Sequence, residues 1–237
     1  MRSRPIPSPI PGPSRLRRGM TLVEMLIAVT ISGVVMTGML SVFIQALKIY
    51  DYDKKKLMIN RHIRKFTSEL TESATFANYA LIYPDFTTRK NIVTVTNPET
   101  GVITTVGVTL QKEDGQSGDM LVLAYVDPDD DTKIQRLVGY YRAAENSNDV
   151  NSKGPVRRFE LEFSPSSSSP AVDLLPATST INTWPEVIEL SQGLSDGRLF
   201  HNFYGRSVMV KGEIIQGDGK GTRMATNTYN FTISPRG

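Results

Sequence analysis

The longest pattern in the chain is an unbroken apolar one. Between Glu24 and Lys48 lie 23 residues without a charge. A helix of that length rises roughly 35 Å at about 1.5 Å per residue, enough to cross the hydrocarbon core of a bilayer. Residues 25–47 therefore predict a membrane-spanning helix. Beyond them Ile49, Tyr52, Ile59, Ile63, Phe66, Leu70 and Ala77 recur at helical spacing, with Lys56 and Ser73 as interruptions. Lys54, Lys55, Arg61, Arg64, Lys65, Glu69 and Glu72 occupy the other side. This is the signature of an amphipathic helix laid on a core, so the spacing predicts one helix running on to about Ala80, with Pro84 marking its limit. Gly33, Thr37 and Gly38 fall inside the apolar part, where small residues weaken a helix and permit close approach of another.

After the helix the period changes from three or four to two. Residues 91–97, 101–110, 119–127, 133–144 and 155–163 are rich in β-branched and aromatic side chains, several of them alternating with polar ones. They predict strands. Residues 97–101 suit a turn between the first two, and 205–215 with 222–233 flank QGDGKG as a hairpin. SPSSSSP at 164–170 reads as a mobile loop, and the stretch through Trp184 as irregular. The fold class expected is α+β: a long N-terminal helix, membrane-spanning in its first half, packed on an antiparallel β-rich head. The expected divisions are 1–19, 20–47, 48–80 and 81–237.

Composition changes this picture little, but charge changes it once. With 39% apolar and 22% charged residues the chain is ordinary for a folded protein. Its net charge is +3, yet residues 1–19 hold five arginines and no acid. Without them the remainder stands at −2, so the basicity that would suggest nucleic-acid binding belongs to the first 19 residues. Those residues are rich in proline, at positions 5, 7, 9, 11 and 13, which favours an extended tail. Arg15, Arg17 and Arg18 before the apolar run argue for an N-terminus kept in the cytoplasm. Lys54, Lys55 and Lys56 beyond it argue the other way.

No cysteine is present, so the head rests on packing rather than on disulfides. Only His62 and His201 are available as imidazoles; with no thiol either, a zinc cluster or a thiol nucleophile is not offered. Asp127, Asp129 and Asp131 have the oxygens and spacing of calcium ligands. Thr132, however, stands where a calcium loop requires glycine, and Val138 where it requires a bidentate glutamate. A solvated hairpin turn including Asp130 is the expectation, with no resident metal or cofactor. QGDGKG lacks the spacing of a phosphate loop and is expected to be a turn.

Glu24 is the anomaly, because a carboxylate beside an apolar span is costly unless it is solvated by headgroups or paired. The helix alone leaves both readings open. Arg18, Gly19, Met20, Thr21, Leu22, Val23 and Glu24, however, resemble the cleavage and methylation signal of type IV prepilins and of type II secretion pseudopilins. An ordinary secretory signal has a shorter apolar run and a small-x-small site after it, whereas here the glycine comes before the run.

The resemblance implies that a membrane-embedded prepilin peptidase cuts between Gly19 and Met20 and methylates the new N-terminus at Met20. It makes Glu24 the fifth mature residue, paired during assembly with the α-amino group of a neighbouring subunit. It implies a non-enzymatic subunit of a pilus or pseudopilus, held first as a single-pass protein in the bacterial inner membrane with its head in the periplasm. The implied partners are other pilin or pseudopilin subunits, the peptidase, the inner-membrane assembly platform and membrane lipid, with no nucleic acid. In assembled members part of the helix loosens, for which Gly33 and Gly38 are natural places. A large head without a disulfide looks most like a minor, J-type pseudopilin. The competing reading is a membrane-anchored protein whose exported head binds a ligand without polymerising.

Overall fold

The computed structural model describes residues 19–96, 103–146, 149–204, 206–217 and 224–236. The proline-rich residues 1–18, the expected 97–101 turn and most of QGDGKG lie outside the described residues. Two compact units are present, Met1–Tyr50 and Asp51–Gly237. The first consists, where described, of the apolar part of helix α1 (Leu22–Phe76). This helix runs unbroken through Gly33, Thr37 and Gly38, and the Thr37 hydroxyl donates to the Gly33 carbonyl at 2.8 Å. Residues 19–50 are all exposed.

The second unit carries the rest of α1 and the strands. In chain order these are β1 (Tyr79–Tyr83), β2 (Lys90–Thr96), β3 (Ile103–Thr109), β4 (Ser117–Gly118), β5 (Met120–Asp127), β6 (Asp130–Arg142) and β7 (Lys153–Ser167). A short helix α2 (Ala171–Leu174) and a 3₁₀ turn (Thr178–Thr180) precede β8 (Glu186–Gly193), β9 (Phe200–Phe203), β10 (Ser207–Gln216) and β11 (Ala225–Ile233). Nine strands form one sheet in the order β1-β5-β6-β7-β8-β10-β9-β4, with β11 also on β10; β2 and β3 form a separate ribbon. All pairings are antiparallel. β10 takes β11 along one whole edge and divides the other between β9 and β8. The ends of the path come together, since β4 lies against β1.

Packing follows from alternation. On β5, Leu121, Leu123 and Tyr125 enter a core with Ile59, Phe66, Leu70 and Ala74 of α1, while Met120, Val122 and Ala124 enter a second core with Phe86, Tyr141 and Phe159. A strand buried on both faces reads as a continuous apolar run rather than an alternating one. Phe66 is the centre of the first core, edge-on to Tyr140, Tyr229 and Phe231 at 5.8–6.0 Å. Burying each such large apolar side chain is worth about 1.5–3 kcal/mol. On the other face α2 and the turn through Trp184 pack over the second core.

Burial pushes the hydroxyls of Tyr83, Tyr141 and Tyr229 up to about 12 from an ordinary value of 10.0. For a group raised in this way the stabilisation is fully present below pH 10 and lost as pH rises through 12. The expected result is a phenolate absorbance step near pH 12 that coincides with loss of near-ultraviolet circular dichroism. A single smooth titration centred near pH 10 would refute the burial.

Three expectations need correction. α1 ends at Phe76, not near Ala80, because Tyr79–Tyr83 pairs with β5 and the Asn78 side chain accepts the Val126 N–H at 2.9 Å. Ile49 and Tyr52 are exposed, and Ala74, absent from the predicted stripe, is buried; the sheet covers the helix only from Ile59 onward. Ser164–Ser167 do not form a loop but extend β7, where Ser166 donates to Asp127 and Ser167 pairs with Ile134.

Candidate functional site

α1 starts at Leu22, and the reason is local. The Thr21 hydroxyl accepts the Glu24 N–H at 3.2 Å, while Glu24 Oε2 accepts both the Thr21 N–H at 2.9 Å and the Thr21 hydroxyl at 3.0 Å. This is a capping box, a Thr followed three residues later by a Glu, each satisfying a donor the helix start leaves unpaired. Gly19 and Met20 therefore lie outside the helix and are exposed, Met20 at 65%. A side chain added at Gly19 would meet no atom within 4 Å. The structure thus brings Gly19, Met20 and Glu24 together at one end of α1, with an exposed peptide bond just before a capped helix. Thr21 was not among the expected site residues, although the spacing T-x-x-E signals it.

The rest of that end is apolar surface. From Leu22 to Leu47 every large hydrophobic side chain is exposed, and α1 is the one helix among the described residues long and apolar enough to cross a membrane. A helix apolar all round needs lipid or protein about it.

Among the described residues the head offers no comparable constellation. Ser117, Asp196 and His201 lie close together, but the serine donates to Asp196 at 2.5 Å and the imidazole also faces Asp196, at 3.6 Å. His201 Nε2 lies 3.2 Å from the Arg198 carbonyl. The serine hydroxyl therefore bonds the carboxylate rather than the imidazole, which is not the serine–histidine order of a catalytic triad. Burial lowers the His201 pKa against the pull of Asp196. His62 keeps a buried Nδ1 with no partner on the amphipathic part of α1.

At the β5–β6 hairpin Asp127 accepts from the Asp129 N–H and from Ser166, and Asp130 accepts from Thr132 and pairs with Lys133 at 2.9 Å. Those carboxylates brace a tight turn, as expected of a solvated hairpin. Among the described residues no group of three or more His, Cys, Asp or Glu side chains is placed to hold a metal ion.

The strongest electrostatic feature lies deeper. Asp119, with no exposed surface, accepts from Arg142 at 2.7 Å, from Arg198 at 2.9 Å and from the Leu199 N–H at 3.2 Å. Arg142 also donates to the carbonyls of Ser152 and Gly197, and Arg198 to that of Pro84. One carboxylate thereby ties the end of β1 to the 194–199 connector between β8 and β9. Burial pushes the Asp119 carboxyl up, and the two guanidiniums only partly pull it back. The three side chains are taken up by one another and by main-chain carbonyls and N–H groups of the fold.

Comparison with known proteins bears on the N-terminal site. Residues 14–40 match the model of the prokaryotic N-terminal methylation motif, a window that holds Gly19, Met20, Thr21 and Glu24. Neither curated proteins nor solved structures yield a match to the chain. The matched window and the α+β architecture agree, and the chain carries the type IV prepilin and pseudopilin signal on a pilin-like precursor.

Proposed function

We propose that the chain is a structural subunit, of the minor kind, of a type IV pilus or type II secretion pseudopilus, and that it acts without catalysis. In this reading residues 1–19 are a leader removed between Gly19 and Met20, and Met20 becomes the methylated N-terminus. Residues 20–47 anchor the subunit in the inner membrane and later pack it in the fibre. Residues 48–76 carry the amphipathic half of the helix, and the strands from Tyr79 onward form the periplasmic head. The methylation motif at residues 14–40 is the observation that carries the reading. The exposed, non-helical Gly19 and Met20 support it, since a protease needs an extended, accessible bond.

Glu24 has two duties in this account, which separate experimentally. Its carboxylate caps α1 through Thr21, and its charge waits for the amine of Met20 on a neighbour. Glutamine at the third helical position still serves a capping box but carries no charge. Glu24→Ala and Glu24→Gln are both expected to insert and to be processed, and both to fall roughly tenfold in sheared fibres relative to membranes, the loss that follows from removing an ion pair worth about 1.4 kcal/mol. Blotting the two fractions checks it. Normal incorporation of both variants defeats the assembly role, and normal incorporation of the glutamine variant alone reduces Glu24 to a cap.

A further inference from the structure

β1 is hydrogen-bonded to β5 on one side and to no strand on the other, although β4 and β9 lie close to it there. Its sequence, YALIY, contains neither a charge nor a proline, the usual guards of an open strand edge. At Ile82 the main chain is taken up by the Lys112 N–H at 2.7 Å, which leaves the Tyr79 end open. Beside that end runs a groove of about 400 Å³, lined by Asn78, Tyr79 and Ala80 on one side and by Asn202, Arg206 and Arg236 among others on the second.

Like Arg61 and Arg64 on α1, the two arginines of this groove lack a carboxylate partner among the described residues. Arg136, Arg142, Arg157, Arg158 and Arg198 are each held by a carboxylate of the chain. Arg206 and Arg236 have no such partner among the described residues, and both are exposed. Without residues 1–19 the chain is net acidic, so this is a basic groove on an acidic protein. A free strand edge offers hydrogen bonds to an extended main chain, and guanidiniums bind carboxylates in a paired, directional way.

We infer that the groove between β1 and Arg206 and Arg236 receives an extended, carboxylate-bearing segment of a partner protein, added to the sheet as a strand beside Ala80. The main-chain ladder supplies the adhesion and the arginines choose an acidic segment over others. The interaction belongs to the single subunit and does not depend on fibre formation, so it stands or falls apart from the assembly role of α1.

The test uses the full chain in detergent micelles and a fluorescein-labelled short peptide of alternating glutamate and valine, read by fluorescence anisotropy. Binding is expected, with affinity falling about tenfold in Arg206→Glu and again in Arg236→Glu, as for the loss of one charge-assisted contact each. A peptide with lysine in place of glutamate should not bind. A glutamate peptide interrupted by prolines, which lack the N–H, should lose binding as well. Both variants alter exposed side chains, and unchanged melting temperatures confirm intact folding. The inference is overturned if the glutamate peptide fails to bind, if it binds the variants equally, or if the proline peptide binds as tightly, since charge contact alone is not strand addition.

Discussion

Asp119→Ala is expected to cost the head about 3–5 kcal/mol, the largest loss of any single substitution considered for this fold. The reason is asymmetry. A buried ion pair contributes little net stability, because desolvation of both charges offsets their attraction, in keeping with the upward shift that burial imposes on this carboxyl. Removing one member is different, since the Arg142 side chain, 1% exposed, stays in place with its charge unanswered and cannot give up its proton. The carbonyls of Ser152 and Gly197 would still accept from it, which places the loss nearer the lower figure. Asp119→Asn should behave similarly. Replacing Asp119 and Arg142 together by leucine and methionine should recover most of the stability. Urea unfolding of the detergent-solubilised chain, followed by near-ultraviolet circular dichroism, measures all three. A loss under about 1 kcal/mol for the alanine variant would mean that water reaches Arg142.

Gly19→Val is expected to abolish processing, leaving residues 1–19 on essentially every molecule. The chain itself gives no reason to object to the valine. A side chain at Gly19 touches nothing within 4 Å, and the helix begins two residues after Met20 on a cap that position 19 does not share. Any effect must arise where the segment enters another protein, in a cleft that fits a residue without a side chain before the cut bond. Intact mass of membrane-extracted protein decides the matter. A valine variant trimmed to Met20 would contradict the proposed site, as would a native chain beginning elsewhere. Because both forms carry the same exposed apolar helix, insertion should be equal, and the mass difference then reports cleavage alone.

How much of this was legible in the sequence depends on the reach of each interaction. The apolar span, the second half of α1 and the β10–β11 hairpin rest on neighbours within one element or one turn, and periodicity finds them. β1, β4, β8 and β9 went unpredicted; β1 and β4 are short and take their hydrogen bonds from strands far along the chain, as Tyr79 does from the region of Ala124. The same reach hid the Ser164–Ser167 extension of β7, where serines and a proline spell a loop locally but Asp127 and Ile134 hold the chain extended. Asp119, Arg142 and Arg198 are unremarkable in a linear reading and meet only once β5 pairs with β6 and β4 with β9. Thr21 was readable, since a Thr three residues before Glu24 is a purely local signal.

β5 is apolar on both faces, which has a consequence for how the sheet finds its alignment. In a strand with one wet face, a slip by one residue puts the core side chains in water, and solvent rejects the error at once. A slip of β5 only exchanges one core for the other, Leu121 and Leu123 for Met120 and Val122, and water does not object. Shape has to reject it instead. Next to β5, Gly139 of β6 sits across from Phe159 of β7, whose ring carbons lie 2.1 Å from where a side chain would begin. Any other residue of β6 brought opposite that ring would collide with it. The socket at Gly139 thus holds β6 in register with β7, while β5 is held in register by the differing shapes of the two cores its faces enter.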